Sequence, residues 1–117
     1  MPQAAARAFL DPDAYVPTPS SALPGIARAA GRLEDAIRHR EPVCVWGDFD
    51  VDGQTSTTLL VDSLRSLGGQ VTYHIPLRAT EGHGIQLQAL ETVLDQGVDL
   101  LLTCDTGITA HAEVDFA

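Results

Sequence analysis

The chain contains no lysine, and all seven of its strongly basic residues are arginine. Chemistry that depends on a lysine amine is excluded, and so is the phosphate loop Gly-x-x-x-x-Gly-Lys. Basic charge is scarce in general: sixteen acidic residues leave a net charge of −9. A chain of that sign does not by itself form the basic groove from which nucleic-acid affinity arises, and most of the acidity is read as a solvated surface. Only two cysteines occur, Cys44 and Cys104, each in an apolar stretch. They are too few for a disulfide framework and are expected to be reduced core residues. No apolar run reaches the roughly 20 residues a membrane helix needs. The start, Met1 to Arg7, lacks a basic region followed by an apolar one, so no secretory leader is expected and the expected location is the cytoplasm.

What is present suits a globular α/β chain of one domain at most, with 44% hydrophobic and 20% charged residues in 117. Residues 1–24 are interrupted by prolines and are expected to form an irregular arm, with the domain proper over 25–117. From Ile26 to Arg40, Ile26, Ala30, Leu33 and Ile37 recur at helical spacing, and Arg38, His39 and Arg40 place positive charge at the helix end before Pro42. Val43 to Gly47 then reads as a buried strand, and Ser56 to Leu67 as a helix closed by Gly68 and Gly69. Val71, Tyr73 and Ile75 alternate along a second strand, and Ile85 to Gln96 forms another helix ended by Gly97. Val98 to Cys104 is apolar enough for a central parallel strand covered on both faces. This βαβαβ order behind an N-terminal helix predicts an open, Rossmann-like parallel sheet, with ligands beyond the carboxyl ends of its strands.

The chemistry is concentrated at those ends. Asp48, Asp50 and Asp52 alternate directly after the first strand, and Asp105 follows the third. In a parallel sheet both ends point the same way, so four carboxylates should converge if the two strands are neighbours. Like charges so placed call for a cation among them, and hard divalent ions take oxygen ligands. Such a set can hold two ions about 3.5–4 Å apart, one activating water and both stabilising a phosphoryl transition state. Gly53 and Gly107 suit close backbone approach or a positive φ. Thr55, Ser56 and Thr57 are expected to cap the following helix, with Thr55 and Ser56 as secondary candidates for a phosphate contact. His39, His74 and His111 are read as surface residues.

Two rival motifs share these letters. An EF-hand loop starting at Asp48 would need a bidentate glutamate where Leu59 stands, and a helix before it. Asp50-Val51-Asp52-Gly53-Gln54 also resembles the nucleophile motif of haloacid-dehalogenase-type phosphatases, but Gln54 replaces the usual threonine or valine and the family's customary lysine is missing.

The run Val45-Trp46-Gly47-Asp48-Phe49-Asp50-Val51-Asp52-Gly53-Gln54-Thr55-Ser56-Thr57 resembles the first motif of RecJ-type exonucleases in the DHH phosphoesterase superfamily. His74-Ile75-Pro76-Leu77-Arg78, Glu81-Gly82-His83-Gly84 and Leu102-Thr103-Cys104-Asp105-Thr106-Gly107-Ile108 are similar to the segments that follow, in order. The resemblance implies a manganese- or magnesium-dependent phosphodiesterase that removes nucleotides from a 5′ end of single-stranded DNA, in repair and recombination. It implies Asp48, Asp50, Asp52 and Asp105 as metal ligands, with Asp50 and Asp105 catalytic; Arg78 and His83 are candidates to face the substrate phosphate, the alternatives being a surface arginine and a loop-packing histidine. More distant superfamily members carry a histidine where Trp46 stands. The family's Asp-His-His motif is expected beyond Ala117, so the chain is expected to be the N-terminal part of a DHH domain. Its sheet would then be left with an unpaired edge, and activity would be weak or absent in isolation. Two alternatives are a phosphodiesterase for oligonucleotides or cyclic dinucleotides, and a non-catalytic module docking on a partner chain that supplies the rest.

Overall fold

A computed structural model describes residues 3–117 of the chain; Met1 and Pro2, the first residues of the expected arm, lie outside the described residues. Compact units divide after Gly31, within the second helix. In the first unit the irregular arm is corrected. Gln3–Leu10 forms helix α1, because Ala4, Ala5, Ala6, Arg7 and Ala8 are strong helix formers and no proline interrupts them until Pro12. Beyond it lie only short 3₁₀ turns at Pro12–Ala14 and Ser20–Ala22.

The rest of the chain comprises α2 (Ile26–His39), β1 (Pro42–Trp46), α3 (Val51–Ser66), β2 (Gln70–His74), α4 (Leu87–Leu94), β3 (Leu100–Thr103) and α5 (His111–Phe116). Periodicity alone did not reveal the short α5. The strands form one parallel sheet in the order β2-β1-β3, with Val43 opposite both Val71 and Leu100. Among the described residues no helix is long and apolar enough to cross a membrane.

Successive side chains of a strand point to opposite faces, and β1 builds two cores in this way. Val43 and Val45 pack with Ala36 of α2, Val61 and Leu64 of α3, and Val71. Cys44 and Trp46 pack on the other face with Ile85 and with Leu90 and Val93 of α4. Burial pushes the Cys44 thiol above its ordinary value, against an opposing hydrogen bond with Thr72. Cys104 is free and half-buried.

The central strand is therefore β1, whose residues Val43 to Trp46 are at most 2% exposed. β3 lies at an edge and is only half-buried. An apolar sequence reports that both faces of a strand are covered; it carries no information about neighbours along the hydrogen-bonding direction. Helix α3 leads from β1 to β2 over one face, while α4 leads from β2 back past β1 to β3 over the other. The chain changes direction between β1 and β3, which is where open α/β sheets leave a crevice at their carboxyl ends.

Candidate metal centre

The end of β1 is held on both sides, as the Gly47 N–H donates to the His74 carbonyl at 3.0 Å and the Cys104 N–H to the Trp46 carbonyl at 2.9 Å. Trp46 pairs with Thr103, so Asp48 and Asp105 each stand two residues beyond a matched pair. The register carries the two acidic loops to the same rim of the switch-point crevice. Asp105 takes a left-handed backbone, φ 58°, followed by Gly107 at φ 88°. A side chain on Gly107 would press on Thr103 at 2.9 Å, so both positive φ and lack of space require glycine there.

Helix α3 begins at Val51, five residues earlier than the hydroxyl-rich segment suggested, and Asp50 is its N-cap. The Asp50 Oδ1 accepts the Gly53 N–H at 2.9 Å, so a carboxylate takes the capping role expected of Thr55, Ser56 or Thr57. These residues lie within the helix and turn back on it: Thr55 donates to the Val51 carbonyl at 2.8 Å, Ser56 to Gly53 at 3.2 Å and Thr57 to Gly53 at 2.7 Å. Gly53 is buried with an ordinary helical φ, and a Cβ there would collide with the backbone of Asp48. Close approach is its function. It brings the first turn of α3 against the loop, while Gly47 leaves room for the Thr57 hydroxyl.

Asp48 is half-buried; Asp50, Asp52 and Asp105 are exposed. The Asp48 Oδ1 accepts the Phe49 N–H at 2.8 Å, and its Oδ2 lies 3.7 Å from His83 Nδ1. The Asp105 carboxyl is held above its ordinary value, first by loss of hydration and then by the negative charges of Asp50, Asp52 and Asp48. The charges of Asp50, Asp52 and Asp48 are thus all felt at Asp105. Among the described residues no group of three His, Cys, Asp or Glu side chains is placed to hold a metal ion by itself. The donors are nonetheless all carboxylate oxygens that repel one another, and Asp48 and Asp50 each commit one oxygen to a backbone N–H and keep a second. That chemistry fits a hard divalent cation such as manganese or magnesium.

Asp50 is the observed N-cap and a candidate cation ligand, two roles that substitution can separate. Asparagine is as good an N-cap as aspartate, so Asp50→Asn should unfold in urea within about 0.5 kcal/mol of the parent, whereas Asp50→Ala should lose about 1 kcal/mol. Both should lose divalent-cation affinity in calorimetry.

Arg78 and His83 reach the same rim through Phe49, which sequence reasoning left without a role. The Arg78 guanidinium lies 5.2 Å from the Phe49 ring centre and the His83 ring 4.7 Å from it. His74 is not a surface residue. It is half-buried, its ring centre 4.1 Å from that of Trp46 and its Nε2 2.7 Å from Glu81 Oε2. Trp46 is itself fully buried in the core, and its indole N–H has no partner among the described residues. Desolvation pushes Glu81 upward but is outweighed by the His74 hydrogen bond, the Leu77 N–H and the His74 charge, leaving its carboxyl below the ordinary value. An EF-hand is ruled out locally: a strand precedes Asp48, and Leu59 lies within α3.

These features define an open, doubly wound α/β domain with two acidic loops at the carboxyl ends of its switch-point strands. The chain belongs to the DHH family, since residues 42–117 match the model described as the DHH family, N-terminal domain. The single-stranded-DNA-specific exonuclease RecJ of Bacillus subtilis strain 168 is 39% identical over 115 residues, covering 96% of this chain and 14% of that protein. RecJ of Thermus thermophilus is 44% identical over 92 residues, covering 79% of this chain and 14% of that one. A crystal structure of exonuclease RecJ bound to manganese superposes with a TM-score of 0.79 at 41% identity, over 86% of this chain and 26% of that one. A crystal structure of the Thermus thermophilus RecJ with Mn²⁺ gives 0.70 at 38% identity, over 84% and 13%. The chain thus spans 14% of the length of the two curated relatives named.

Proposed function

We propose that the chain is the N-terminal, carboxylate-bearing part of a RecJ-like DHH domain, and that it serves metal-dependent hydrolysis of phosphodiesters at a 5′ end of single-stranded DNA. The observation that carries this reading is the register of the adjacent parallel strands β1 and β3, which sets Asp48 and Asp105 each two residues beyond a matched pair, with the charges of Asp50, Asp52 and Asp48 felt at Asp105. In this reading Asp48, Asp50, Asp52 and Asp105 hold Mn²⁺ or Mg²⁺ in a two-metal arrangement, and the bound cations supply Lewis-acid stabilisation of the phosphoryl group and a water activated at neutral pH. Asp50 and Asp105 orient the reacting centre from two strands. Arg78 and the Phe49–His83 pair face the incoming strand, which otherwise meets a chain of net charge −9. Thr55 and Ser56 stand in the first turns of α3, where their hydroxyls would have to leave helix carbonyls to reach a phosphate. Residues completing the cation shell and the basic DNA-holding surface come from outside these 117 positions, in the same longer polypeptide or in a partner chain. The wider setting we propose is DNA repair and recombination in the cytoplasm.

Calorimetry with Mn²⁺, paired with hydrolysis of 5′-labelled single strands and of dinucleotides, tests the reading. The expected result for this chain is measurable but weak Mn²⁺ binding that is lost in Asp105→Asn, with little turnover until the remaining ligands are supplied. Once they are, long single strands should be degraded in preference to dinucleotides. Preference for dinucleotides would favour the short-substrate phosphodiesterase, and absence of Mn²⁺ binding would overturn the metal site.

A further inference from the structure

The carboxylates lie on the loops after β1 and β3, but Arg78 and His83 belong to a third loop, between β2 and α4, whose turn is closed on itself by the Thr80 and Glu81 N–H groups donating to the Leu77 carbonyl at 3.0 and 2.8 Å. Residues Leu77 to Thr80 are exposed, and Gly82 and Gly84 flank His83 with φ of 70° and 80°. Such a segment has many conformations available, so something must select the one that brings Arg78 and His83 over Phe49. Glu81 is placed to do so. Its Oε2 lies 2.7 Å from Nε2 of His74, the last residue of β2, and its Oε1 accepts the Leu77 N–H at 3.2 Å. One carboxylate thereby ties the end of the strand to the start of the loop. The His74 ring is braced in turn by Trp46, which is 0% exposed and fixed by the core beneath β1. From Trp46 through His74 to Glu81, the rigid sheet is linked to a loop whose far side places His83 Nδ1 3.7 Å from Asp48 Oδ2.

We infer that His74 and Glu81 are positioning residues: their contact, braced by Trp46, holds the 77–84 loop so that Arg78 and His83 face the cation-binding rim and order the end of an incoming strand. This rests on the proposed reading of that rim, but the clasp is a separate claim. Neither residue touches a carboxylate of the cluster in the hydrogen bonds and ion pairs found, so its removal should leave cation binding alone and disturb only the nucleic-acid side.

The test uses the full chain with Mn²⁺, comparing Glu81→Ala, Glu81→Gln and His74→Phe, the last of which keeps a ring against Trp46 but removes the hydrogen bond. Hydrogen exchange over residues 77–84, Mn²⁺ calorimetry and binding of a 5′-phosphorylated oligodeoxynucleotide are read on each. Glu81→Ala and His74→Phe should speed loop exchange and weaken the oligonucleotide about tenfold, at unchanged Mn²⁺ affinity. Glu81→Gln, which keeps one acceptor, should recover most of the loss. Wild-type loop exchange in a folded Glu81→Ala chain would overturn the clasp, and faster exchange with unchanged oligonucleotide affinity would overturn its positioning role. Failure of the unsubstituted chain to bind Mn²⁺ would instead refute the reading of the rim, while the exchange data still judge the clasp.

Discussion

Asp105→Asn is expected to make the cation-free chain more stable at neutral pH while abolishing its response to Mn²⁺. The acid's folded value stands above its ordinary 3.8, so the native state binds more protons than the unfolded chain across the interval between them. Stability attributable to Asp105 therefore falls as pH rises through that interval. The penalty is absent below the unfolded value and complete above the raised one. Asparagine removes the charge that Asp50, Asp52 and Asp48 oppose, so its advantage should be present at pH 7, vanish below about pH 3.8, and shrink with added salt, which screens exposed charges. With Mn²⁺ the order should reverse. A ligand at a hundredfold excess over its Kd stabilises the form that binds it by about 2.7 kcal/mol, and the asparagine chain has lost that ligand. Thermal unfolding at two pH values, with and without Mn²⁺, measures all four combinations. If Asp105→Asn is no more stable than the parent at pH 7 without the ion, the four carboxylates do not share one electrostatic site.

The same mutual repulsion made the candidate site stand out in the sequence. Alternating Asp48, Asp50 and Asp52 at a strand end, with Asp105 at another, is a pattern with an unfavourable self-energy, and such patterns call for a partner charge. The parallel topology followed from the order of periodic segments, and convergence followed from the topology. Less legible was anything set by contacts distant in sequence. The start of α3 was misplaced because Thr55, Ser56 and Thr57 have the chemistry of caps, and only the conformation of Asp50, with ψ −178° and its carboxylate on the Gly53 N–H, shows which residue takes the role. The central position of β1 was hidden because Val98 to Cys104 has an equally apolar composition. His74 looked like a surface residue because neither Trp46 nor Glu81 is near enough in sequence to announce itself. Phe49 drew no reading of its own, although the His83 ring and the Arg78 guanidinium of the β2–α4 loop gather on it.

Gly53→Ala should be the most damaging single methyl that can be added near the site. In an ordinary helix the exchange stabilises, because alanine has the higher helix propensity by about 0.8–1.0 kcal/mol. Gly31, in α2 with open space around its Cα among the described residues, should show that gain as Gly31→Ala. At Gly53 the new Cβ meets the backbone of Asp48, which unlike a side-chain tip cannot swing aside. Overpacking of this kind costs about 1–3 kcal/mol where neighbours can yield, and more is expected where they cannot. Relief requires the first turn of α3 to move away from the loop, which also separates the Gly53 N–H from Asp50 and shifts Asp48 relative to Asp105. Stability and cation affinity should therefore fall together in Gly53→Ala, unlike in Asp105→Asn, where they part. Urea unfolding of the two alanine variants, with Mn²⁺ calorimetry on Gly53→Ala, separates the accounts. A Gly53→Ala chain as stable as Gly31→Ala would mean that the helix and loop do not pack as closely as described, and the geometry that gathers the carboxylates would have to arise in another way.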